Sequence, residues 1–194
     1  MLLGADVAGK TLGVVGLGNI GRAVARRAAG FGMTVLFHDP AHEGPADLGL
    51  ITAHPVPLEQ LLAEADVVTL HTPLTDETHH LLDAARLALM RSDALLINTA
   101  RGPLVDEAAL VACLRSGGIA GAALDVYEAE PAVAPGLVEL ENVVLLPHLG
   151  SATRGARGGM ARAAAANAHA VLSGRRPPNL VNPEALARYP HPIQ

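Results

Sequence analysis

The stretch TLGVVGLGNIG, residues 11–21, decides how we expect the chain to fold. An apolar, β-branched run leads directly into Gly16-x-Gly18-x-x-Gly21, and a helical pattern begins at once. Strand, glycine turn and helix in this order form the context in which proteins bind a dinucleotide. Gly16 permits the tight turn, Gly18 lets a pyrophosphate approach the backbone, and Gly21 lets the helix pack against the strand.

The first turn of this helix completes the expected binding site. Its backbone N–H groups, including those of Asn19 and Ile20, have no acceptor within the helix. They face the phosphates, and the helix dipole favours negative charge there. A plain tight turn is the alternative for an isolated glycine pattern, but the flanking strand and helix favour a dinucleotide site.

The composition indicates a core without large aromatic groups. Half of the 194 residues are hydrophobic, yet the chain has two Phe, two Tyr and no Trp. We therefore expect a core of Leu, Val, Ile and Ala, which is typical of a buried parallel sheet beneath Ala-rich helices. The net charge of −5 and the scattered positive residues indicate no nucleic-acid partner.

Cysteine content and hydropathy predict where the protein works. Cys113 is the single cysteine, which excludes an intrachain disulfide and fits a reducing compartment. No apolar run approaches membrane-spanning length, and the N-terminus lacks the basic and apolar regions of a signal peptide. The sequence therefore predicts a cytoplasmic protein with no membrane partner.

Strands alternate with helices along the whole chain. The predicted strands lie at 11–15, 34–37, 67–70, 94–97, 119–124 and 143–146, with a short strand near residue 52 inside a 41–57 loop. The predicted helices lie at 19–29, 58–64, 76–82, 83–90, from the N-cap Asp106 through Leu114, and at 151–172. Such alternation predicts an α/β fold with a doubly wound parallel sheet, of Rossmann type, over residues 5–172. An irregular tail is expected at 173–194.

Polar residues follow the predicted strands, at the sheet edge where ligands bind in such folds. They are Asp39, Thr72, Arg101, Asp125 and His148. Asp39 lies about 20 residues beyond the glycine turn, where a carboxylate accepts hydrogen bonds from the adenosine ribose and repels a 2′-phosphate. Asp39 therefore favours NAD over NADP. An Asx-turn before Pro40 is the alternative, and one side chain can serve both roles.

Three other side chains suit acid–base chemistry on a small acid. Arg101 can hold a substrate carboxylate through two parallel hydrogen bonds, or it is a surface residue paired with Asp106 or Glu107. His148 can exchange a proton near neutral pH, and Glu130 can orient it. Asp125 either orients a nicotinamide carboxamide or forms a turn. The other histidines, His79 and His80 among them, lack metal-ligand spacing, so no metal site is expected.

These residues, taken together, resemble the D-isomer-specific 2-hydroxyacid dehydrogenases. The resemblance extends from GKTLG at 9–13 to VNP at 181–183. Its most specific parts are NTARG at 98–102 with Val105-Asp106, LDVYEAEP at 124–131, and PHLGSAT at 147–153. The GSAT after His148 and PNLVNP at 178–183 are most similar to the glyoxylate/hydroxypyruvate reductase branch. The 3-phosphoglycerate dehydrogenases are the nearest rival branch.

The resemblance implies roles for particular residues. Arg101 would bind a 2-oxo acid, His148 would be the acid/base, Glu130 would orient it, and Asp125 would lie beside the nicotinamide. The cofactor contacts implied, with those of the glycine turn, are Gly16, Gly18, Asn19, Ile20, Gly21, Asp39, Thr72, Pro73, Thr99, Ala100, Arg101, Asp125, His148 and Gly150.

The function implied is hydride transfer between NAD(H) and a small 2-hydroxy or 2-oxo acid, in a family whose members form homodimers. Family members also have a substrate lobe, built mainly from residues before the cofactor lobe. Here residues 1–10 precede the first strand, so we expect that lobe to be missing. A non-catalytic NAD-binding fragment or module is therefore the alternative.

Overall fold

The computed structural model describes Gly4 and residues 6–188, and side chains through residue 186. Its centre is an eight-stranded sheet in the order β3-β4-β2-β1-β5-β6-β7-β8. The strands are β1 (Thr11–Val15), β2 (Thr34–His38), β3 (Ala46–Asp47), β4 (Thr52–Pro55), β5 (Val67–Leu70), β6 (Leu95–Asn98), β7 (Gly121–Leu124) and β8 (Val143–Leu145). β3 is antiparallel to β4, and the other neighbouring pairs are parallel. The predicted doubly wound parallel sheet is confirmed.

The first four helices lie between consecutive strands of the sheet, and the fifth follows the last strand. They are α1 (Asn19–Ala28), α2 (Leu58–Glu64), α3 (Ala84–Leu87), α4 (Glu107–Arg115) and α5 (Arg154–Leu172). Short 3₁₀ turns cover Ala29–Phe31, Gly102–Leu104, Leu137–Glu139 and Pro183–Arg188. The predicted cap of α4 is confirmed, because Asp106 Oδ1 accepts a hydrogen bond from Ala109 N at 2.9 Å. Among the residues described, no helix is both long and apolar enough to cross a membrane.

Apolar side chains pack on both faces of the sheet. Successive residues of β1 separate into two clusters, because neighbouring side chains in a strand point to opposite faces. Val14 packs with α1 and Phe37 in one cluster, and Val15 packs with Leu61 of α2 in the other. The core consists mostly of Leu, Val and Ala, as the composition predicts.

The helix predicted at 76–82 is wrong. Thr78 Oγ1 donates to Pro73 O at 2.7 Å and accepts from Thr75 N at 2.7 Å, so its hydroxyl stabilises a turn instead of a helix. His80 then adopts φ 50°, outside the helical region, and Leu82 forms a parallel bridge with Val105. Of the predicted piece at 83–90, the structure forms a single short helix, α3. The two-residue strand β3 was not predicted, because it is too short to show a periodic pattern.

The chain divides into two compact units, Met1–His148 and Leu149–Gln194. The first contains the whole sheet, and the second contains α5, which begins where Thr153 Oγ1 accepts from Ala156 N at 3.1 Å. The predicted domain boundary between 172 and 173 stays a prediction. Residue 5, where the domain was expected to begin, and residues 189–194 of the expected tail lie outside the described residues.

Candidate active site

The order in which successive strands join the sheet reverses between β1 and β5. The chain runs from β1 outward to β2 and β4, and then returns to place β5 on the other side of β1. A crevice at the carboxyl ends of the strands forms at such a switch point. The predicted polar residues lie within three positions of the ends of β2, β5, β6, β7 and β8; they are Asp39, Thr72, Arg101, Asp125 and His148.

The glycine turn lies in this crevice, after β1. Gly16 adopts φ 92° and donates its N–H to His38 O at 2.9 Å, which links the turn to β2. A Cβ on Gly21 would overlap Gly16 O, so a larger residue would push α1 away from the turn. Gly18, the N-cap of α1, has no atom within 4 Å of the position of a Cβ. The backbone of Gly18 is therefore open to an approaching ligand.

Asp39 holds the glycine turn in place. Its Oδ2 accepts from Leu17 N at 2.7 Å, and its Oδ1 accepts from Ala41 N at 2.9 Å. Burial by itself raises the pKa of Asp39, but the N–H groups of Ala41 and Leu17, with His42 nearby, outweigh it and hold the pKa below its ordinary value. Asp39 is thus a carboxylate at neutral pH. The Ala41 bond is the Asx-turn considered as the alternative, and the ribose contact stays a prediction.

Two neighbouring cavities cover the glycine turn and the ends of β5 and β6. The first, of about 460 Å³, is lined by Gly16, Gly18, Asp39, Thr72 and Pro73 among others. The second, of about 440 Å³, is lined by Ile20, His71, Thr72, Pro73, Leu74, Thr99, Ala100 and Arg101. Thr72 and Pro73 belong to both. The structure therefore brings the predicted cofactor-loop residues together around one continuous groove.

The Arg101 loop is shaped by the last residue of β6. Asn98 is 1% exposed; its Nδ2 donates to Arg101 O at 2.8 Å and its Oδ1 accepts from Ala100 N at 3.0 Å. The Arg101 side chain is exposed, and its Nη1 donates to Ala100 O at 2.6 Å. The guanidinium is thereby held at the rim of the groove with further N–H groups available to a ligand.

The alternative for Arg101, a surface pair with a neighbouring acid, finds no support in these contacts. Asp106 caps α4, as described above. Glu107 is 4% exposed, and its Oε1 accepts from Glu128 N at 2.8 Å. The hydrogen bond from His148 lowers the pKa of Glu130 most, and the charge of Arg101 adds a smaller lowering effect.

His148 and Glu130 form a close pair beyond β8. His148 Nδ1 lies 2.9 Å from Glu130 Oε2, and the charged carboxylate can only accept, so Nδ1 carries the proton. Glu130 Oε1 accepts from Tyr127 N at 3.1 Å. The bond to His148, and then the Tyr127 N–H, hold the pKa of Glu130 below its usual range. With Nδ1 so occupied, Nε2 is the ring nitrogen left to exchange a proton.

The backbone also positions His148. His148 adopts φ 54°, an uncommon value for a residue with a side chain, and its N–H donates to Asp125 O at 3.0 Å. A cavity of about 320 Å³ lies against the pair and is lined mainly by apolar groups of Tyr127, Pro131, Leu145 and Pro147. Tyr127 Oη donates to Leu146 O at 2.8 Å, which fixes one wall.

Three side chains that hold the loops of this site in place, Asn98, Glu107 and Glu128, were not among the predicted site residues. Glu107 and Glu128 bond reciprocally, each side chain accepting from the other's N–H, at 2.8 Å and 3.1 Å. Burial raises the pKa of Glu107. The sequence does hold a signal for Asn98, because this residue follows the predicted buried strand at 94–97 and an Asx-turn is common at such a position. No local pattern predicts the contact between Glu107 and Glu128, because these residues lie 21 positions apart. Gly150 belongs to the second unit, and its cofactor contact stays a prediction.

Comparison with known families identifies the chain. Residues 1–150 match the model of the D-isomer specific 2-hydroxyacid dehydrogenase NAD binding domain. The chain belongs to this dehydrogenase family. It is 52% identical over 186 residues to the glyoxylate reductase of Thermococcus onnurineus, an alignment that covers 96% of this chain and 55% of that protein.

Solved structures show the same relation to the dehydrogenase family. A Thermus thermophilus protein superposes with a TM-score of 0.86 at 52% identity, over 93% of this chain and 56% of that one. The D-lactate dehydrogenase of Lactobacillus jensenii, solved with NAD⁺, superposes with a TM-score of 0.83 at 30% identity, over 93% and 58%. The chain therefore spans about half the length of the relatives it matches. The fold and the nicotinamide dinucleotide class of cofactor follow from the family.

Proposed function

We propose that the chain transfers a hydride between NAD(H) and a small 2-oxo or 2-hydroxy acid of the glyoxylate or hydroxypyruvate type. The observation that carries the proposal is the His148–Glu130 pair, 2.9 Å apart, at the same sheet edge as the groove. An oriented imidazole beside a dinucleotide site suits proton exchange with a carbinol oxygen. The names of the similar proteins, glyoxylate reductases, support the same substrate class.

The reduction follows from the residues in place. Arg101 binds the carboxylate of the 2-oxo acid and turns C2 toward the cofactor. A bound reduced nicotinamide would supply the hydride that C2 accepts, which would leave negative charge on the carbonyl oxygen of the substrate. His148 Nε2 gives a proton to that oxygen, while Glu130 stabilises the positive charge of the ring before transfer. Glu130 Oε2 orients the imidazole through Nδ1, and Asp125 O holds the backbone of His148 through its N–H.

We propose NAD, not NADP, as the preferred cofactor because Asp39 is charged and lines the groove. Asp39→Asn is expected to lower the ratio of the NADPH to the NADH dissociation constant by about tenfold, equivalent to about 1.4 kcal/mol. The amide no longer repels a 2′-phosphate and accepts fewer charge-assisted bonds from the ribose. Fluorescence titration with both reduced cofactors measures the ratio.

Asp47→Asn is a matched control for this experiment. Asp47 lies on β3, and its Oδ1 accepts from Gly49 N at 2.8 Å, in a turn like the one at Asp39. This variant is expected to keep the wild-type ratio. A ratio unchanged in Asp39→Asn would contradict the assignment of Asp39 to cofactor selection.

The function is tested by binding and turnover together. NADH binding is measured by fluorescence, and NADH consumption is followed with glyoxylate, hydroxypyruvate and, for the rival branch, the oxidation of 3-phosphoglycerate with NAD⁺. We expect saturable NADH binding and NADH consumption with glyoxylate or hydroxypyruvate. Turnover with 3-phosphoglycerate alone would move the chain to the phosphoglycerate dehydrogenase branch.

A non-catalytic NAD-binding module is the second candidate, since the groove at the glycine turn can bind a dinucleotide without any substrate. NADH binding without any consumption of NADH would contradict the first proposal for this chain and support the second. The cytoplasmic location and the homodimer stay predictions.

A further inference from the structure

Three metal-ligating side chains meet outside the groove and play no part in the proposed reaction. They are His79 and His80, in the turn before α3, and Glu128, in the loop after β7. One ligand atom from each lies within 4.8 Å of the other two. His80 Nε2 is 2.6 Å from Glu128 Oε1, and the rings of His79 and His80 stack with their centroids 4.1 Å apart.

The backbone builds this cluster from distant parts of the chain. Glu128 follows His80 by 48 residues, which explains why spacing along the sequence predicts no metal site here. The turn is held because His80 N donates to Pro103 O at 2.8 Å, and His80 adopts φ 50°. Leu82 then continues into its bridge with Val105. The two histidines are thus presented by an ordered turn.

Glu128 is oriented by a second layer of contacts. Its Oε2 accepts from Glu107 N at 3.1 Å, and its own N–H donates to Glu107 Oε1 at 2.8 Å. These bonds direct Oε1 toward His80 while the side chain stays 30% exposed. Ligating carboxylates in metal sites are supported in the same way, by hydrogen bonds to the oxygen that does not bind.

We propose that His79, His80 and Glu128 form a binding site for a borderline divalent cation of the Zn²⁺ class. Two imidazoles and one carboxylate are ligands that Zn²⁺ accepts, and they leave at least one position for water. Mg²⁺ and Ca²⁺ prefer sites built from oxygen ligands, so they bind this site poorly. The cation replaces the proton between His80 Nε2 and Glu128 Oε1, and it links the turn before α3 to the loop that carries Glu130.

The site is tested by isothermal titration calorimetry with Zn²⁺, on protein that carries no polyhistidine tag. We expect one bound Zn²⁺ per chain and a rise in melting temperature that Mg²⁺ does not reproduce. His79→Ala and Glu128→Gln are expected to weaken binding by at least about tenfold, since loss of an outer partner alone costs roughly 10–100-fold. His79 is exposed, so its variant is the one expected to keep the fold intact.

His54→Ala is the matched control, since His54 is another exposed histidine and lies on β4. It is expected to bind Zn²⁺ as the wild type does. Wild-type affinity in folded His79→Ala would overturn the proposal, and so would the lack of saturable binding by the wild type. The measured quantities are Zn²⁺ affinity and melting temperature, so the result does not depend on whether the chain has dehydrogenase activity.

Discussion

Gly102→Ala is expected to destabilise the protein by about 3 kcal/mol or more, at the upper end of the cost of overpacking. A Cβ on Gly102 would overlap the carbonyl group of Tyr127 and the N atom of Glu128. These are backbone atoms, so no side-chain rotation relieves the overlap. The Arg101 loop and the loop that carries Glu130 would have to separate. Urea unfolding followed by circular dichroism measures the loss as a lower midpoint.

Gly155→Ala provides the control for this measurement. Gly155 lies in α5, and no atom lies within 4 Å of the position of its Cβ. Because alanine favours helix over glycine by about 1 kcal/mol, this variant is expected to be as stable as the wild type or more so. An unchanged midpoint for Gly102→Ala would show that the two loops do not pack as closely as described.

His148→Asn is expected to lower kcat for glyoxylate reduction by roughly 10²–10⁴-fold, the usual contribution of a general acid. Asparagine retains polarity at the site but has no ring nitrogen that can give up a proton to the substrate oxygen. NADH affinity is expected to change little, because the glycine turn and Asp39 are untouched. Steady-state kinetics and NADH fluorescence titration separate the two quantities.

Two further variants sharpen the result for His148. Glu130→Gln retains an acceptor for the Nδ1 proton but removes the charge, so its kcat is expected to fall less than that of His148→Asn. His54→Asn, at an exposed histidine of β4, is expected to behave as the wild type. A kcat for His148→Asn close to that of the wild type would contradict the role of the imidazole.

The sequence predicts the central strands well for a physical reason. β1 and β5 form at their predicted bounds, because each is a short apolar run that ends at a turn or loop signal. The segment at 76–82 forms a turn instead of the predicted helix, because the Thr78 hydroxyl accepts from the backbone N–H of Thr75 and donates to the carbonyl of Pro73. Such competition depends on side-chain geometry, which a helical pattern does not reveal.

Some residues of the candidate site could likewise be predicted from the sequence, and others could not. Asp39, Arg101 and His148 could be placed from sequence, because the ends of parallel strands meet at one edge. The pairing of Glu130 with His148 followed from their chemistry, and the structure puts them in contact. The reciprocal bonds of Glu107 and Glu128 could not be predicted, since they depend on two loops meeting in three dimensions.

The shortness of the two outermost strands has a consequence for association between chains. β3 has two residues and β8 has three, and these strands form the two edges of the sheet. An unpaired edge is a template for a strand from another molecule, and short edge strands offer few backbone groups for such pairing. The sheet is therefore protected from edge-to-edge aggregation at both sides, even though its interior strands are strongly apolar.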